Sequence, residues 1–494
     1  ASDVYKRQIK ASACAALMLA LTPMFAQEYG ADESQISTVV YVSSSAGDDS
    51  NDGSMKSPLK TFAKIPKENA RILLKKGDVF YEPLSGLSNC VVDSYGKGSK
   101  YPEICGLKLL KNPDAWEDMG NGVWRLDMNK TENFYGRNLE ITKGNFQLNN
   151  LGALYDAASD TVYGHKVKKL EMLEKDWDIT TGEIYKPKDI DAESYRWLYV
   201  KLGKNPSSDG AKLGILTYGN GVSGLKNCTV RNIAIKGFGR HGLTGSFGGK
   251  VENVKIDLIG GSTQVGYRTW VRLGNGIEFW ISGSPSSNNR NHVSGCTISR
   301  TYDCGSTIQG IVEKGEIVAS DITFTGNKFY RCRQAFEHFL SNRSNGRSEY
   351  INCHFEGNFA WEMGENEFST PEPRDNNFLT YDNKRKGMII KNNVCYGSGI
   401  YAGTRGWAEH FGENTFYVEQ GKHNLLFVYP WNKQGIEIPS NSEADIQKYR
   451  ETLGDTTSKI ILVPESEIAE TRSNLMKEDF KYVKKFLKRG ALSK

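Results

Sequence analysis

The feature that most constrains this chain is self-similarity. Four segments align without gaps: VSGCTISRTYDCGSTIQG from Val293, FTGNKFYRCRQAFEHFLS from Phe324, YINCHFEGNFAWEMGENE from Tyr350 and IKNNVCYGSGIYAGTRG from Ile390. Two earlier stretches, VRNIAIKGFGRHGL from Val230 and VENVKIDLIGG from Val251, open in the same way. One column reads Asn232, Asn253, Gly295, Gly326, Asn352, Asn392, and the next reads Ile233, Val254, Cys296, Asn327, Cys353, Asn393. Two residues further on stand Ile235, Ile256, Ile298, Phe329, Phe355 and Cys395. A parallel solenoid places like residues over like at ~4.8 Å per coil, so an inward apolar column and stacked Asn at a bend are its expected marks. Stacked Asn side chains can satisfy backbone groups that a turn leaves unpaired. The coils repeat at roughly 21 to 43 residues, the excess being loop insertions. A β-propeller would need a steadier period, near ~40–45, and a blade signature. Neither is present.

Composition fits this reading. Of 494 residues, 51 are Gly and only 14 Pro, which suits many tight turns in a β-rich fold. With 38% hydrophobic and 24% charged residues the chain is an ordinary folded one. A net charge of +5, with no long Lys/Arg block before the C-terminal tail, gives no footprint for nucleic acid. Lys6, Arg7 and Lys10 precede an apolar run from Ala11 to Leu21 and the segment Thr22-Pro23-Met24-Phe25-Ala26, the order of a secretory signal peptide over 1–26. A secreted or periplasmic protein is therefore expected. No later run reaches the ~18 apolar residues of a membrane span. Eight cysteines follow the signal, with no Cys-x-x-Cys pair for a zinc ribbon. Cys228, Cys296, Cys353 and Cys395 fall within apolar strands, where a free thiol acts as a small hydrophobe.

The entry segment YVSSSAGDDSNDGSMKSPLKTFAKI, from Tyr41 to Ile65, and Lys76-Gly77-Asp78-Val79-Phe80 after it resemble the start of right-handed parallel β-helix proteins of the pectate-lyase-like superfamily. The resemblance covers about residues 38 to 420. It implies an all-β, right-handed parallel β-helix in a secreted bacterial carbohydrate-active protein. It does not select a reaction, since the superfamily holds lyases, hydrolases, epimerases and adhesins.

After a linker at 27–37, residues 38–109 are expected to form the N-terminal cap and first coils. The pattern changes over 110–220, which resembles the β-rich insertion of hydrolase-like members. The main β-helix is expected over 221–406, and closing strands with capping helices over 407–494. The helices are read in SEADIQKYRETLG and EDFKYVKKFLKRGALSK.

Carboxylates recur in the second strand of the coils: Glu278 in GNGIEFW, Glu337 in QAFEHF and, one column out of step, Glu362 in FAWEMG. The coil between carries Asp303, with Thr307 near the Glu column and Gln309 just beyond. Two coils place Glu278 and Glu337 on the order of 10 Å apart, close to the ~6.5–9.5 Å of an inverting glycosidase pair. Asp303 can raise one partner's pKa by like-charge repulsion and so create the acid. Such acids are also ordinary at out-facing strand positions. Arg240, His241, Arg272, Trp280, Gln309, Arg333 and His338 are the candidate substrate-binding residues, and the ungapped register sets Arg240 in one column with Asp303 and Gln334. Arg forks suit anionic groups on a sugar, and Trp faces suit pyranose rings.

The leading expectation is a monomeric inverting glycoside hydrolase with Glu278, Asp303 and Glu337 as catalytic residues, a poly- or oligosaccharide as partner and no required cofactor. A polysaccharide lyase is the alternative, with His241, His338 or Arg240 acting on a uronate and Asp303 helping to hold Ca²⁺. A non-catalytic glycan-binding or adhesin solenoid is the third reading. The chain lacks the Asp-pair motifs of polygalacturonase-like hydrolases and the Asp-Pro-His-Asp motif of epimerases.

Overall fold

The computed structural model describes residues 29–133, 151–163, 165–167, 170–175, 178–180, 196–262, 271–282, 290–365, 375–381, 386–403, 408–429 and 435–478. The signal segment, Arg268, Trp270 and the tail from Asp479 lie outside them. Over the described residues the protein is a right-handed parallel β-helix of three sheets with ten strands each, the last pair of the second sheet being antiparallel. In the first sheet Ile72, Val92, Val230, Val251, Val293, Phe324, Phe355, Ile390 and Phe411 form one column. In the third, Phe80, Ile104, Ile235, Ile256, Ile298, Phe329, Ala360, Cys395, Phe416 and Ile460 do the same. The second runs Leu84, Val222, Leu243, Ile277, Ser306, Phe336, Phe378, Tyr401, Leu426. Nearly all of these side chains are buried in one continuous core along the axis. Phe336 stacks on Phe355 with ring centroids 4.6 Å apart, so rings of different sheets fill the space between them.

The register corrects the sequence alignment at one coil. Phe355, not Tyr350, pairs with Phe324, a shift of five residues. Ala360 therefore stands below Phe329, and Gly357 and Asn358 occupy the columns assigned to Asn352 and Cys353. With this repair the corner is regular. Asn232, Asn253, Gly295, Gly326, Gly357 and Asn392 all have φ between +52° and +65°, a region where Gly and Asn are the least strained residues. The next residue starts a buried ladder in which Asn327, Asn358 and Asn393 each take the side-chain Oδ1 of the Asn below on their backbone N–H.

The chain leaves the solenoid after Glu103–Cys105 and rejoins it at Val222–Lys226. Between them lie a four-stranded antiparallel sheet, which includes Leu107–Leu109, and a five-stranded mixed sheet. The stack closes over this excursion without a gap, since Ile104 pairs directly with Ile235. Parallel strands continue beyond residue 406, to Lys459–Val463. The Glu443–Leu453 helix begins in a capping box made by Ser442 and Asp445, and Gly454 ends it at φ +81°. It lays Ile446, Tyr449 and Leu453 on the last coils. A second helix, Ile468–Glu478, follows. All eight described cysteines are buried and unbridged. Among the described residues no helix is long and apolar enough to cross a membrane.

Candidate active site

The site grows from the second sheet. Its strands Leu243–Phe247, Ile277–Trp280, Cys304–Val312 and Gln334–Asn342 share a local pattern. A polar residue is followed by a small one, an inward residue and then an outward side chain: His241-Gly242-Leu243-Thr244, Asn275-Gly276-Ile277-Glu278, Cys304-Gly305-Ser306-Thr307 and Gln334-Ala335-Phe336-Glu337. The small residue is forced by packing, because a Cβ on Gly276 would lie 2.5 Å from the carbonyl of Gly305. Pairing then places Thr244, Glu278, Thr307 and Glu337 in one outward column. The two glutamates are thus two coils apart, with Thr307 between them.

Their surroundings differ. Glu278 is ringed by donors: Thr244 Oγ1 at 3.0 Å, Asn275 Nδ2 at 3.0 Å and Gln309 Nε2 at 2.9 Å. His241 Nδ1 accepts the Asn275 N–H at 3.2 Å, which leaves the ring proton on Nε2, 3.5 Å from Glu278 Oε2. Burial lowers the His241 pKa, which keeps the ring neutral beside the carboxylate. Glu337 is only 4% exposed. Burial, then the charge of Asp303, push its pKa up to about 8, while the Cys304 thiol and Arg333 pull the other way. Cys304 Sγ lies 3.4 Å from Glu337 Oε2 and equally close to Gln334 Oε1. One carboxyl therefore keeps its proton at neutral pH, and its neighbour two coils away is built as an acceptor.

Several sequence expectations change. Arg240 does not share a column with Gln334, because Cys304 is the residue paired with Gln334. Its guanidinium stacks on Tyr218 with 4.8 Å to the ring centroid, and its Nε is buried without a hydrogen-bond partner. His338 is not a groove residue. Strand alternation that turns Glu337 outward turns His338 into the core, where it bonds Tyr401 Oη and burial lowers its pKa to about 3. Arg333 is buried in an ion pair with Asp375, at 2.7 Å, rather than offered to substrate. Arg272 stacks on Tyr302 and donates to its carbonyl at 3.2 Å. Glu362 belongs to the third sheet's edge and meets Arg472; its place in the Glu column is taken by Leu379. Trp361 is core, stacked on Tyr396. Arg331 and Arg343 bond the Glu365 carbonyl and Glu313. Trp280 is 41% exposed beside Gln309.

Thr244, Asn275, Cys304 and Asp375 were missed. The first three follow from the small-residue pattern once its strands are aligned on Gly242, Gly276 and Gly305. Asp375 carries no local signal, since it reaches Arg333 from 42 residues away. Among the described residues no three His, Cys, Asp or Glu side chains are grouped as a metal site.

No family model matches the sequence, and no curated protein matches it. Among solved structures the chain is similar to XylC in complex with xylose, at 10% identity and TM-score 0.40, covering 86% of this chain and 82% of that one. It is also similar to the GH136 lacto-N-biosidase from Eubacterium ramulus, at 13% identity and TM-score 0.35, over 86% of this chain and 68% of that one. A third structure, described as a glycoside hydrolase, gives 10% identity and TM-score 0.31 over 77% of this chain and 96% of the other.

Proposed function

We propose that the protein is a glycoside hydrolase acting with inversion on a poly- or oligosaccharide, with Glu337 as general acid and Glu278 as general base. One observation carries this reading: two carboxyl groups stand in one column, two coils apart, Glu337 buried near the charge of Asp303 and Glu278 ringed by hydrogen-bond donors. A neutral Glu337 has a proton to give to the leaving oxygen, and Glu278 can take one from water. Two strand spacings of ~4.8 Å leave room for that water beside a sugar. Asp303 acts through Glu337, keeping its proton on.

Elimination would need a base beside a cation free to meet a uronate. Of the described groups suited to it, Arg333 is held by Asp375, His338 lies in the core, His241 faces Glu278 and Arg240 is stacked on Tyr218. We assign the enzyme to the periplasm or the exterior, on the basic and apolar order of residues 6–26.

Purified protein incubated with a polysaccharide panel should release reducing ends without the ultraviolet absorbance of an unsaturated uronate. Proton NMR of the first product should show the inverted anomer. Glu278→Gln and Glu337→Gln should each lower kcat by roughly 10²–10⁴-fold. Wild-type turnover in both variants would remove the site.

A further inference from the structure

We propose that a row of aromatic side chains, leading from the two carboxylates toward the C-terminal coils, is a binding track for a neutral pyranose chain. The proposal rests on the hydrolase reading for the identity of the site, but it stands on different residues. Trp280, Gln309 and Phe339 form the column two positions along from Glu278, Thr307 and Glu337, on the same outward face. Tyr381 continues it, its ring 6.2 Å from that of Phe339. Tyr429 follows, 6.1 Å from Tyr381 and 5.2 Å from Phe427, which itself lies in the carboxylate column below Leu379 and Ala402.

The row is exposed. Trp280 is 41% and Tyr381 40% accessible, and Ile311, at 36%, lies next to Gln309 on the same face. Elsewhere in this fold, rings such as Phe336 and Tyr401 are wholly buried, so leaving rings in water forgoes burial that the core achieves. Among the described residues of the two columns, the rings run toward the C-terminal coils. On the N-terminal side the carboxylate column holds Ser85, Ser223 and Thr244, with Gly224 and Gly245 beside them.

The chemistry selects the occupant. A flat ring takes the C–H face of a pyranose, and the Tyr381 hydroxyl and the Gln309 edge leave polar breaks along the row. A lipid would want an apolar surface without those polar interruptions. The rise of ~4.8 Å per coil is close to the length of one sugar residue, so rings one or two coils apart can meet sugars one or two residues apart. No Lys or Arg stands among the described residues of these two columns. A uronate carboxylate would meet Glu278 and Glu337 there, and Arg333, the cation beside Glu337, is already paired with Asp375, so the track suits neutral sugars.

The test uses a glycan array carrying neutral xylo-, gluco- and galacto-oligosaccharides and uronate oligosaccharides, each as a short and a long chain. Glu337→Gln serves as parent, so that bound chains persist. The parent should retain long neutral chains in preference to uronates. Adding Tyr381→Ala or Trp280→Ala should weaken that retention roughly three- to tenfold, with little change for the shortest chains, and Tyr381→Phe should keep it. A preference for uronates, equal binding by the Ala variants, or binding to no glycan overturns the track. Loss of binding in Tyr381→Ala with no sugar release by wild type would sink the hydrolase reading and leave the track standing. Conversely, wild-type hydrolysis with an unchanged KM for long chains in Tyr381→Ala would sink the track alone.

Discussion

Burial and Asp303 hold a proton on Glu337, whereas Cys304 and Arg333 favour its loss. The pH dependence of activity should therefore respond to neighbours that never touch substrate. Asp303→Asn removes a like charge and should move the alkaline limb of kcat/KM to lower pH; Cys304→Ala removes a donor to the carboxylate and should move it up. A limb unchanged in both variants would mean that Glu337 is not the titrating acid. Stability follows from the same proton. The folded value of about 8 lies above the ordinary 4.5, so folded protein binds the proton more tightly. The contribution is fully present below 4.5 and is lost as pH rises through about 8. Glu337→Gln, which cannot ionise, should flatten this decline in Tm between those limits. At the level of single residues the shared column of Glu278 and Glu337 was legible because outward strand positions can be read from alternation. It could not assign Arg333, whose partner Asp375 arrives from a distant loop. His338 was misread by following the charge of a residue type and not the face on which alternation puts it.

At the scale of the coil, the corner and its Asn ladder fix where one sheet hands over to the next. Asn358 accepts the backbone N–H of Asn327 at 2.9 Å and donates to the carbonyl of Phe324 at 2.9 Å. Asn358→Ala orphans both groups inside the core and should cost about 2–4 kcal/mol, read as a fall in the urea midpoint. Asn253→Gly keeps the left-handed corner and loses only an exposed 2.8 Å bond to Asn232, so it should change stability by less than ~1 kcal/mol. If the two variants were alike, the ladder would be ornament rather than a structural brace. The five-residue misalignment of the repeat has a physical source in these corners. Asn352, at φ +52°, and Gly357, at φ +65°, both turn the chain, and Asp321 and Gly326 do so one coil earlier. Tyr350-x-Asn352-Cys353 thus imitates the pattern that Phe355-x-Gly357-Asn358 fulfils. Choosing the first slid one coil by five residues and cost the Glu column its true continuation at Leu379.

For the whole molecule, the solenoid and its inserted sheets are joined through a buried clasp that no repeat could disclose. Arg300, at φ +45° and only 3% exposed, donates from Nε to Asp257 of its own sheet at 2.8 Å. From Nη1 it reaches Asp160 of the insertion at 3.1 Å, across 140 residues of sequence. Lys236 bonds Tyr155 Oη of the insertion at 3.0 Å beside it. Burial by itself would raise the Asp257 pKa, but the adjacent Arg300 and its hydrogen bonds outweigh that and hold it near about 2. The clasp therefore stabilises the fold above the ordinary carboxylate value of 3.8 and loosens as pH falls through about 2. Arg300→Ala takes the shared cation from Asp257 and Asp160, leaving Asp257 the longer 3.8 Å contact with Lys236. At neutral pH it should cost about 3–5 kcal/mol, the usual penalty for breaking a buried pair from one side. That penalty should shrink below pH 3.8, where those acids take up protons. Because the coils pair directly across the excursion, the damage should be local. Limited proteolysis of the variant should nick residues 107–216 first while the far-ultraviolet spectrum of the parallel sheets persists. Simultaneous loss of both would show that the insertion and the solenoid fold as one cooperative unit, with the clasp inside it and not between two parts.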